Sequence, residues 1–169
     1  SRSEGRFWES GTIDWFKTKE LEDNWLLASE ERITEAGLRQ SSTRLYPAGT
    51  ILMAIYASPT LGRLGVLDHE ATCNQAALGF VVDETLASRW WLFHTLRSER
   101  DKFNQVARGA GQQNISGDIV QGWEVPMPPP AVMRDFEEKV GVYWEAARML
   151  SRENALLRAP YMRRRRRRQ

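Results

Sequence analysis

Residues 47–65 read PAGTILMAIYASPTLGRLG, an apolar run that is interrupted by a turn containing Pro59 and Gly62 and then resumes. The run over residues 50–57 is typical of a buried strand, and residues 64–67 predict a second strand. Pro59 lacks the backbone N–H that a central strand donates, and Gly62 tolerates backbone angles that other residues resist. The stretch therefore predicts a shaped turn between two strands, which is either an ordinary turn of a β-rich core or a frame for functional side chains.

The composition predicts one folded domain with an appended element. The chain has 169 residues, 41% of them hydrophobic, which is enough to bury a core. Six of its 24 basic residues form the run 163–168. The rest of the chain, which we call the body, therefore has 18 basic and 22 acidic residues, a formal charge of about −4. A uniformly basic surface is therefore not indicated, and any surface that binds nucleic acid must be local.

The reactive residue types exclude several chemistries. Cys73 is the single cysteine, and with only His69 and His94 there is no ligand set at zinc spacing, so we expect no disulfide, metal or cofactor. His94 falls on the apolar side of a predicted helix, which favours a partly buried structural histidine. No run of 18 apolar residues and no signal-peptide core occurs, so we expect a cytoplasmic protein with no membrane contact, unless the sequence begins at a truncation point.

Outside the opening stretch, the sequence alternates strands, turns and helices. Residues 12–16 and 76–82 predict strands, and residues 29–34 predict a strand or a turn. A helix is expected from Asp83 to about Val106, followed by a glycine-rich loop at residues 108–116 and a strand at residues 119–125. Residues 126–130, with four prolines, predict a stiff extended linker. The predicted fold class is a mixed, β-rich α/β domain.

Polar side chains in the loops are candidates for contacts with DNA. Lysines flank Thr18 at a strand end, where they either contact phosphate or form solvated charges. The polar run 39–44 suits phosphate contacts or an ordinary surface loop, and the amides Asn74 and Gln75 either brace a loop or bond adenine.

The period of the sequence changes after the prolines. Mostly apolar residues then recur every seven positions in two series, and the second series is offset from the first by three residues. This spacing indicates a heptad repeat over about three and a half heptads. The helix is far longer than the domain needs, so we expect it to pair with a partner helix, although it could instead pack on its own domain. The heptad positions are Met133, Phe136, Val140, Tyr143, Ala147, Leu150, Asn154 and Leu157.

The chain therefore divides into three parts. Residues 1–130 form the predicted β-rich domain, and residues 131–160 form a long coiled-coil helix for dimerisation or subunit docking. Residues 161–169 form a basic tail that is too charged to fold alone. That tail could add nonspecific affinity for nucleic acid, or could be a disordered end or an expression artefact.

Eight segments, taken together and in order, resemble the target recognition domain of the specificity subunits of type I restriction-modification enzymes. Ser1-Arg2 resembles the end of that family's opening motif. The segments that follow are WESGTIDW at residues 8–15, ITEAGLRQSS at 33–42, PAGT at 47–50, PTLG at 59–62, NQ at 74–75, GQQNIS at 111–116 and VPMPP at 125–129. Asp14 replaces the family's usual proline, and residues 131–134 depart from its usual Leu-x-Glu-Gln.

The resemblance implies a noncatalytic subunit that reads one half of a split sequence in double-stranded DNA. It implies partners as well: a modification subunit, a restriction subunit where one exists, and a second recognition unit paired through the helix. The chain would then be a fragment or a half-subunit that forms a homodimer. The resemblance makes residues 1–130 the DNA target recognition domain. The candidate DNA-binding residues are then Lys17, Lys19, Arg39, Arg44, Tyr56, Ser58, Arg63, Arg108, Gln112 and Gln113. The resemblance also makes Thr60, Gly62 and Asn74 better candidates for scaffold than for specificity.

Two other functions remain open at this point. The acidic body favours a coiled-coil interaction or regulatory protein that uses the same fold without reading sequence. An enzyme would need a nucleophile beside a base, and Ser116 has no predictable histidine near it. No methyltransferase motif or convincing cofactor-binding glycine motif is present.

Overall fold

The structure is a computed structural model that describes residues 4–56, 59–109 and 114–166, and of residues 158–166 it describes the backbone. Within these residues the strands form one sheet of four and one sheet of three. The strands are β1 (Ile13–Phe16), β2 (Asn24–Leu26), β3 (Glu31–Ile33), β4 (Ile51–Ala54), β5 (Leu64–Leu67), β6 (Thr72–Cys73) and β7 (Ala77–Phe80).

The opening stretch forms the centre of the larger sheet, whose strand order is β2-β5-β4-β7. β4 and β5 pair antiparallel across the predicted turn, with Leu52 opposite Gly65. Alternate residues of β4 enter different clusters, because neighbouring side chains in a strand point to opposite faces. Ile51 and Met53 belong to one core cluster, and Leu52 and Ala54 belong to the other. Both faces of the sheet are thus covered, which explains the unbroken apolar run.

The smaller sheet, ordered β3-β1-β6, covers one of those faces. Phe16 of β1 and Cys73 of β6 pack in the same cluster as Leu52 and Ala54. β1 pairs parallel with β6 and antiparallel with β3. The predicted strands at residues 12–16 and 76–82 are confirmed, with shorter bounds than the sequence suggested. Of the strand or turn that residues 29–34 left open, the structure has the strand, β3.

Helices cover the other face and extend beyond it. They are α1 (Glu35–Arg39), α2 (Arg89–Ser98), α3 (Arg100–Gly109), α4 (Gly117–Gln121) and α5 (Pro130–Arg166). Phe93 of α2 and Phe103 of α3 are fully buried in the cluster that holds Ile51 and Met53. The fold is therefore a mixed α/β domain with a long C-terminal helix, as predicted.

The predicted helix start at Asp83 is wrong. The Asp83 carboxylate accepts hydrogen bonds from the backbone N–H and hydroxyl of Thr85, and these bonds close a turn rather than a helix. The helix begins after Ser88, whose hydroxyl accepts the backbone N–H of Trp91 at 3.2 Å. One helix to Val106 was expected, but the helical segment is divided at Glu99 into α2 and α3.

The predicted strand over residues 119–125 is also wrong. Ser116 caps a short helix by accepting the backbone N–H of Ile119 at 3.3 Å, and α4 follows. Trp123 lies beyond α4, where its ring packs 4.4 Å from that of Phe103. Its indole nitrogen donates to Glu99 at 3.3 Å. Trp123 is therefore an anchor of an irregular segment and not part of a sheet.

The first half of α5 packs on its own domain. Met133 is buried, and Phe136, Val140 and Trp144 pack against the cluster that contains Phe93. The Trp144 ring stacks on Trp90 with centroids 4.5 Å apart and planes 6° apart. The Trp25 indole donates to the Trp144 carbonyl at 2.9 Å. The alternative that the helix packs on its own domain therefore holds for this half.

A pair of arginines fixes the next turns of α5 to the sheet. Arg148 donates to Asp68 at 2.6 Å, and Arg152 donates to it at 3.0 Å. Asp68 directly follows β5, so both bonds join α5 to the end of a central strand. Burial raises the pKa of Asp68, but the bonds from the two guanidinium groups outweigh it and hold that pKa below its usual value.

The C-terminal half of α5 presents an apolar surface to solvent. Its residues recur every seven positions in adjacent pairs, and each is at least 60% exposed. We call this surface the free stripe: Val142, Tyr143, Met149, Leu150, Leu156 and Leu157. None of the described helices is long and apolar enough to cross a membrane.

Candidate nucleic-acid interface

The turn between β4 and β5 is held by side chains of α3 that bond its backbone. Arg100 Nε donates to the carbonyl of Gly62 at 2.8 Å, and Asn104 Nδ2 donates to the carbonyl of Leu61 at 3.4 Å. Gly62 has a φ of +77°, and a Cβ atom added there would lie 2.9 Å from Arg100 Cγ. A glycine is thus required both by the backbone angle and by the approach of α3.

A second loop meets the same turn. Tyr56 pairs with Asn114 in an antiparallel bridge, and the backbone N–H of Ile115 donates to the carbonyl of Ile55 at 3.0 Å. Tyr56 is 41% exposed, which is unusual for an aromatic side chain next to a central strand. Residues 114–115 and residues 55–56 therefore lie side by side.

Arg63 and Arg108 lie near these residues. Arg63 closes the turn by donating its backbone N–H to Thr60. Arg108 lies two helical turns beyond Arg100 on the face of α3 that bonds the turn, and its guanidinium donates to the Asn104 carbonyl. Neither arginine forms an ion pair with a carboxylate of the described residues. We call this surface the loop face: Tyr56, Arg63, Arg108 and Asn114.

The structure places the two candidate lysines elsewhere, in an ion-pair cluster. Lys17 contacts Glu30 at 2.8 Å and Glu31 at 2.7 Å, and Lys19 contacts Glu30 at 2.6 Å. Hydrogen bonds from both lysines lower the pKa of Glu30 to about 2, and those carboxylates raise the pKa of Lys17. Their positive charges are therefore balanced within the chain, and they do not join the loop face.

The arginines of the polar run 39–44 lie on a third surface. Arg39 is exposed on α1 and lies 3.6 Å from Glu35 one turn earlier. Arg44 is exposed, forms no ion pair with a described carboxylate, and lines a cleft beside Tyr46. Of the remaining candidates, Ser58, Gln112 and Gln113 lie outside the described residues.

Neither Asn114 of the loop face nor Arg100, which supports the turn, was selected from the sequence. Asn114 directly follows the candidates Gln112 and Gln113, and this run of three amides is the signal that could have identified it. Arg100 gave no such signal, because its role depends on a contact with Gly62, 38 positions away. Asp23 joins this contact by accepting from Arg100 at 2.5 Å and from the backbone N–H of Leu64 at 3.0 Å.

Another buried group, Asp14, has a structural role. It accepts hydrogen bonds from Ser29 and Arg32 and contacts His69 Nε2 at 2.7 Å. Burial raises the pKa of Asp14, but these bonds outweigh it and lower that pKa below its usual value. The Ser29 hydroxyl bonds the carboxylate and not the histidine, so the three residues do not form a nucleophile activated by a base.

The remaining reactive side chains are also in structural positions. Burial raises the pKa of the Cys73 thiol to about 12, which leaves it protonated and unreactive. His94 Nε2 accepts a hydrogen bond from Trp144 Nε1 at 3.1 Å, which confirms it as a satisfied, partly buried histidine. In the described part of the chain, no three His, Cys, Asp or Glu side chains are grouped to hold a metal ion.

Comparison with known proteins identifies the family. The family model of the type I restriction modification DNA specificity domain matches residues 1–132. The specificity subunit of the type I restriction enzyme EcoR124I/EcoR124II from Escherichia coli is 26% identical over 135 residues, covering 78% of this chain and 33% of that protein. The MjaIX specificity subunit of Methanocaldococcus jannaschii is 22% identical over 156 residues, covering 89% and 35%.

Solved structures share the fold. A chain from a structure of a type I R-M system aligns with a TM-score of 0.62 and 16% identity, covering 96% of this chain and 39% of that one. The HsdS subunit from Thermoanaerobacter tengcongensis aligns with a TM-score of 0.58 and 18% identity, covering 86% and 33%. The chain spans about a third of the length of the curated relatives that it matches. With its family model matched over residues 1–132, the chain belongs to the family of type I restriction modification DNA specificity domains.

Proposed function

We propose that this chain is a noncatalytic, sequence-specific DNA-binding unit of a type I restriction-modification specificity subunit. It reads one half of a split target in double-stranded DNA and positions a modification subunit, together with a restriction subunit where one exists. The observation that carries the proposal is the loop face, where an exposed tyrosine is bridged to Asn114 and two nearby arginines form no ion pair with a described carboxylate. Membership of the family gives that surface its expected ligand.

The loop face suits the two kinds of contact that DNA recognition needs. Arg63 and Arg108 bring unbalanced positive charge to a body that is otherwise acidic, and they would bind phosphates. Tyr56 and Asn114 present an aromatic ring and an amide between them, and amides suit the edges of bases in the major groove. Ser58, Gln112 and Gln113 belong to the same two loops in sequence and extend the proposed set of base contacts.

The free stripe supports pairing with a second helix. Its apolar pairs are spaced seven residues apart, which is the repeat of helices that pack along a shared seam. Met133, Phe136 and Val140 of the predicted seam pack on the domain, so the proposed pairing uses the part of α5 from Val142 onward. The proposed partner is the helix of a second copy or of a second recognition domain, and either would hold two loop faces at a fixed separation.

A salt titration of DNA binding tests the proposal. The target is first identified by co-expressing the chain with its modification subunit and mapping the methylated positions. Affinity for target and random duplexes is then measured at several salt concentrations. We expect the preference for the target to persist at high salt, and we expect Arg63→Ala and Arg108→Ala each to reduce the slope of log K against log salt by about 0.9.

An arginine outside the loop face provides the control for this titration. Arg134→Ala removes an exposed arginine of α5 that lies outside the loop face, and it should leave both affinity and slope unchanged. The Gln112→Ala, Gln113→Ala double variant should lose discrimination between duplexes while retaining most nonspecific affinity. Equal affinity for target and random duplexes at every salt concentration would instead favour an interaction or regulatory protein that uses the fold without reading sequence.

A further inference from the structure

A cleft of about 640 Å³ lies next to the loop face and has no part in the contacts described so far. The two surfaces share one end of the larger sheet, where Ala54 of β4 pairs with Ala77 of β7. The backbone N–H of Ile55 donates to the Ala76 carbonyl at 2.9 Å, so residues 74–77 separate the cleft from Tyr56. A ligand that covers the loop face can therefore extend into the cleft.

Aromatic rings form one part of the cleft lining. Trp8 and Trp15 meet edge to face with ring centroids 5.1 Å apart, and Tyr46 also lines the cleft. The Tyr46 ring lies against Gly79, where an added Cβ atom would come within 2.5 Å of the ring. Gly79 therefore lets the tyrosine ring lie directly on the backbone of β7, which fixes its position.

The polar lining carries positive charge and hydroxyl groups without any carboxylate. Arg44, which forms no ion pair with a described carboxylate, lies beside Ser41, Ser42 and Thr43. None of the described lining residues is Asp or Glu, although the body of the protein is acidic overall. Such a lining attracts an anion, and it contains no carboxylate that would repel one.

The amide of Asn74 adds an unsatisfied acceptor. Asn74 lines the cleft, and its buried side-chain oxygen accepts no hydrogen bond from the described part of the chain. A buried carbonyl without a donor is costly, so a ligand that brings an N–H group would remove that cost. The expectation that this amide braces a neighbouring loop is therefore not met by its oxygen atom.

We propose that the cleft binds a nucleotide. The base stacks among Trp8, Trp15 and Tyr46, and its phosphate binds Arg44 and the adjacent hydroxyl groups. An N–H group on the edge of the base, which is the exocyclic amine of adenine or the N3–H of uracil and thymine, donates to Asn74. Stacking on aromatic rings suits any base, because every base has a π face. The nucleotide comes either from DNA, by unstacking next to the loop face, or from free solution; the DNA source rests on the proposed function, and the free source does not.

Photochemical cross-linking of the full chain tests the proposal with two probes. The first is free 5-iodo-2′-deoxyuridine monophosphate, and the second is a target duplex with 5-iodouracil in place of single thymines. We expect adducts at Trp8, Trp15 or Tyr46, identified by mass spectrometry. Absence of adducts at these positions in both arms, or equal labelling of Trp91 and Trp123, would overturn the proposal.

Matched variants separate the cleft from general charge effects. Titration of the unmodified chain with deoxyadenosine monophosphate should give an affinity that Arg44→Ala lowers by about tenfold, because a charge-assisted contact to phosphate is lost. Asn74→Ala should lower the same affinity, and Arg134→Ala should leave it unchanged. Equal losses in Arg44→Ala and Arg134→Ala would contradict a specific site, as would loss of modification-subunit binding by Arg44→Ala with nucleotide affinity unchanged.

The two arms also distinguish this proposal from the proposed function. The duplex arm depends on the loop face, so Arg63→Ala with Arg108→Ala should remove its adducts and leave those of the free nucleotide. A chain that labels with the free nucleotide yet binds no duplex would keep the nucleotide cleft and reject DNA recognition. Sequence-specific duplex binding without adducts in the cleft in either arm would keep DNA recognition and reject the nucleotide cleft.

Discussion

His94 and Trp144 connect the protonation of one side chain to the seating of the long helix. His94 Nε2 can accept the indole N–H of Trp144 only while that nitrogen carries no proton. Burial lowers the pKa of His94, and the charge of Arg97 lowers it further. The folded protein therefore resists protonation of this histidine, whereas the unfolded chain takes up the proton at about pH 6.5.

We predict that the free energy of unfolding decreases as the pH falls below about 6.5, because only the unfolded state then binds the additional proton. The decrease should continue until the pH passes the lowered pKa of folded His94. Urea unfolding between pH 8 and pH 5 measures it. The carboxylates of Asp14 and Asp68 also have lowered pKa values, but their contribution is lost only at more acidic pH.

His94→Gln is the control for this titration, since it removes the titrating group. The variant should show a smaller dependence of stability on pH between 5 and 6.5. An unchanged dependence would show that protonation of His94 does not cause the effect.

Gly62 shows how a single position can hold the loop face. Its positive φ and its contact with Arg100 both exclude a side chain. We predict that Gly62→Ala destabilises the protein by about 1–2 kcal/mol from the left-handed backbone alone, with the crowding of Arg100 adding to this cost. Chemical denaturation measures the difference.

Gly117→Ala provides a matched comparison for Gly62→Ala. Gly117 has no positive φ, and its added Cβ would meet only Leu78 at 3.8 Å, an ordinary contact. It lies at the first position of α4, where alanine is favoured over glycine. This substitution should be neutral or slightly stabilising, and a similar loss in both variants would remove the special status of the turn.

At the level of elements, α5 has two faces with different roles along its length. The 37 residues make a helix of about 55 Å. Trp144 packs into an aromatic cluster with Trp25, Trp90 and Phe93. The residue immediately before it, Tyr143, is 76% exposed. A domain contact and a free surface thus alternate within one turn.

We predict that Trp144→Ala destabilises the monomer by about 3 kcal/mol or more, because it removes a stacked indole and leaves a cavity. Tyr143→Ala should change the stability of the monomer by no more than about 0.5 kcal/mol, because its side chain contacts mainly solvent. Thermal unfolding at low protein concentration compares them. Similar values for both variants would mean that α5 is not seated as described.

The sequence predicted the centre of the fold because its signals there are local. The apolar run, Pro59 and Gly62 all act within residues 47–65, and β4, β5 and the turn lie where these residues indicate. The wrong elements arose where a hydrogen-bonding side chain decided the outcome. Asp83 closes a turn instead of capping a helix, and Ser116 caps a helix in a segment that resembled a strand.

The candidate site was less predictable, because charge balance depends on partners far away in sequence. Lys17 and Lys19 are of a residue type that commonly binds phosphate, yet in the folded chain they form ion pairs with Glu30 and Glu31.

The heptad pattern had a similar ambiguity. Its first positions, such as Phe136 and Val140, pack on the domain, whereas Tyr143, Leu150 and Leu157 are exposed. A period of seven is compatible with both arrangements.

At the level of the whole molecule, the loop face and the free stripe are separate surfaces connected by a fixed joint. The Trp144 stack and the bonds from Arg148 and Arg152 to Asp68 seat α5 on the domain that carries the loop face. Pairing of two such helices would therefore set both the distance and the orientation of two loop faces. The rigidity of this joint is what makes a split target readable in the proposed function.

We predict that Tyr143→Asp, Leu150→Asp and Leu157→Asp in one chain give a monomer in sedimentation, whereas the unmodified chain sediments as a dimer. These positions leave Met133 and Phe136 in place, so the helix should stay seated on its domain. Circular dichroism checks that it does. Arg134→Asp, which changes the charge of α5 outside the free stripe by a comparable amount, should leave the dimer intact. A monomer before any substitution would argue against homodimerisation.

The bonds that shape the turn at Gly62 have a consequence for how specificity can change. Arg100 and Asn104 bond main-chain carbonyl groups at Gly62 and Leu61, and the Ile115 N–H bonds the carbonyl of Ile55. None of these bonds uses the side chain at position 56, 63 or 108, so these three positions can be randomised together in a library while the bonds to the main chain are retained. Variants that bind new target sequences could be selected from such a library while Gly62, Arg100 and Asn104 are kept constant as the scaffold.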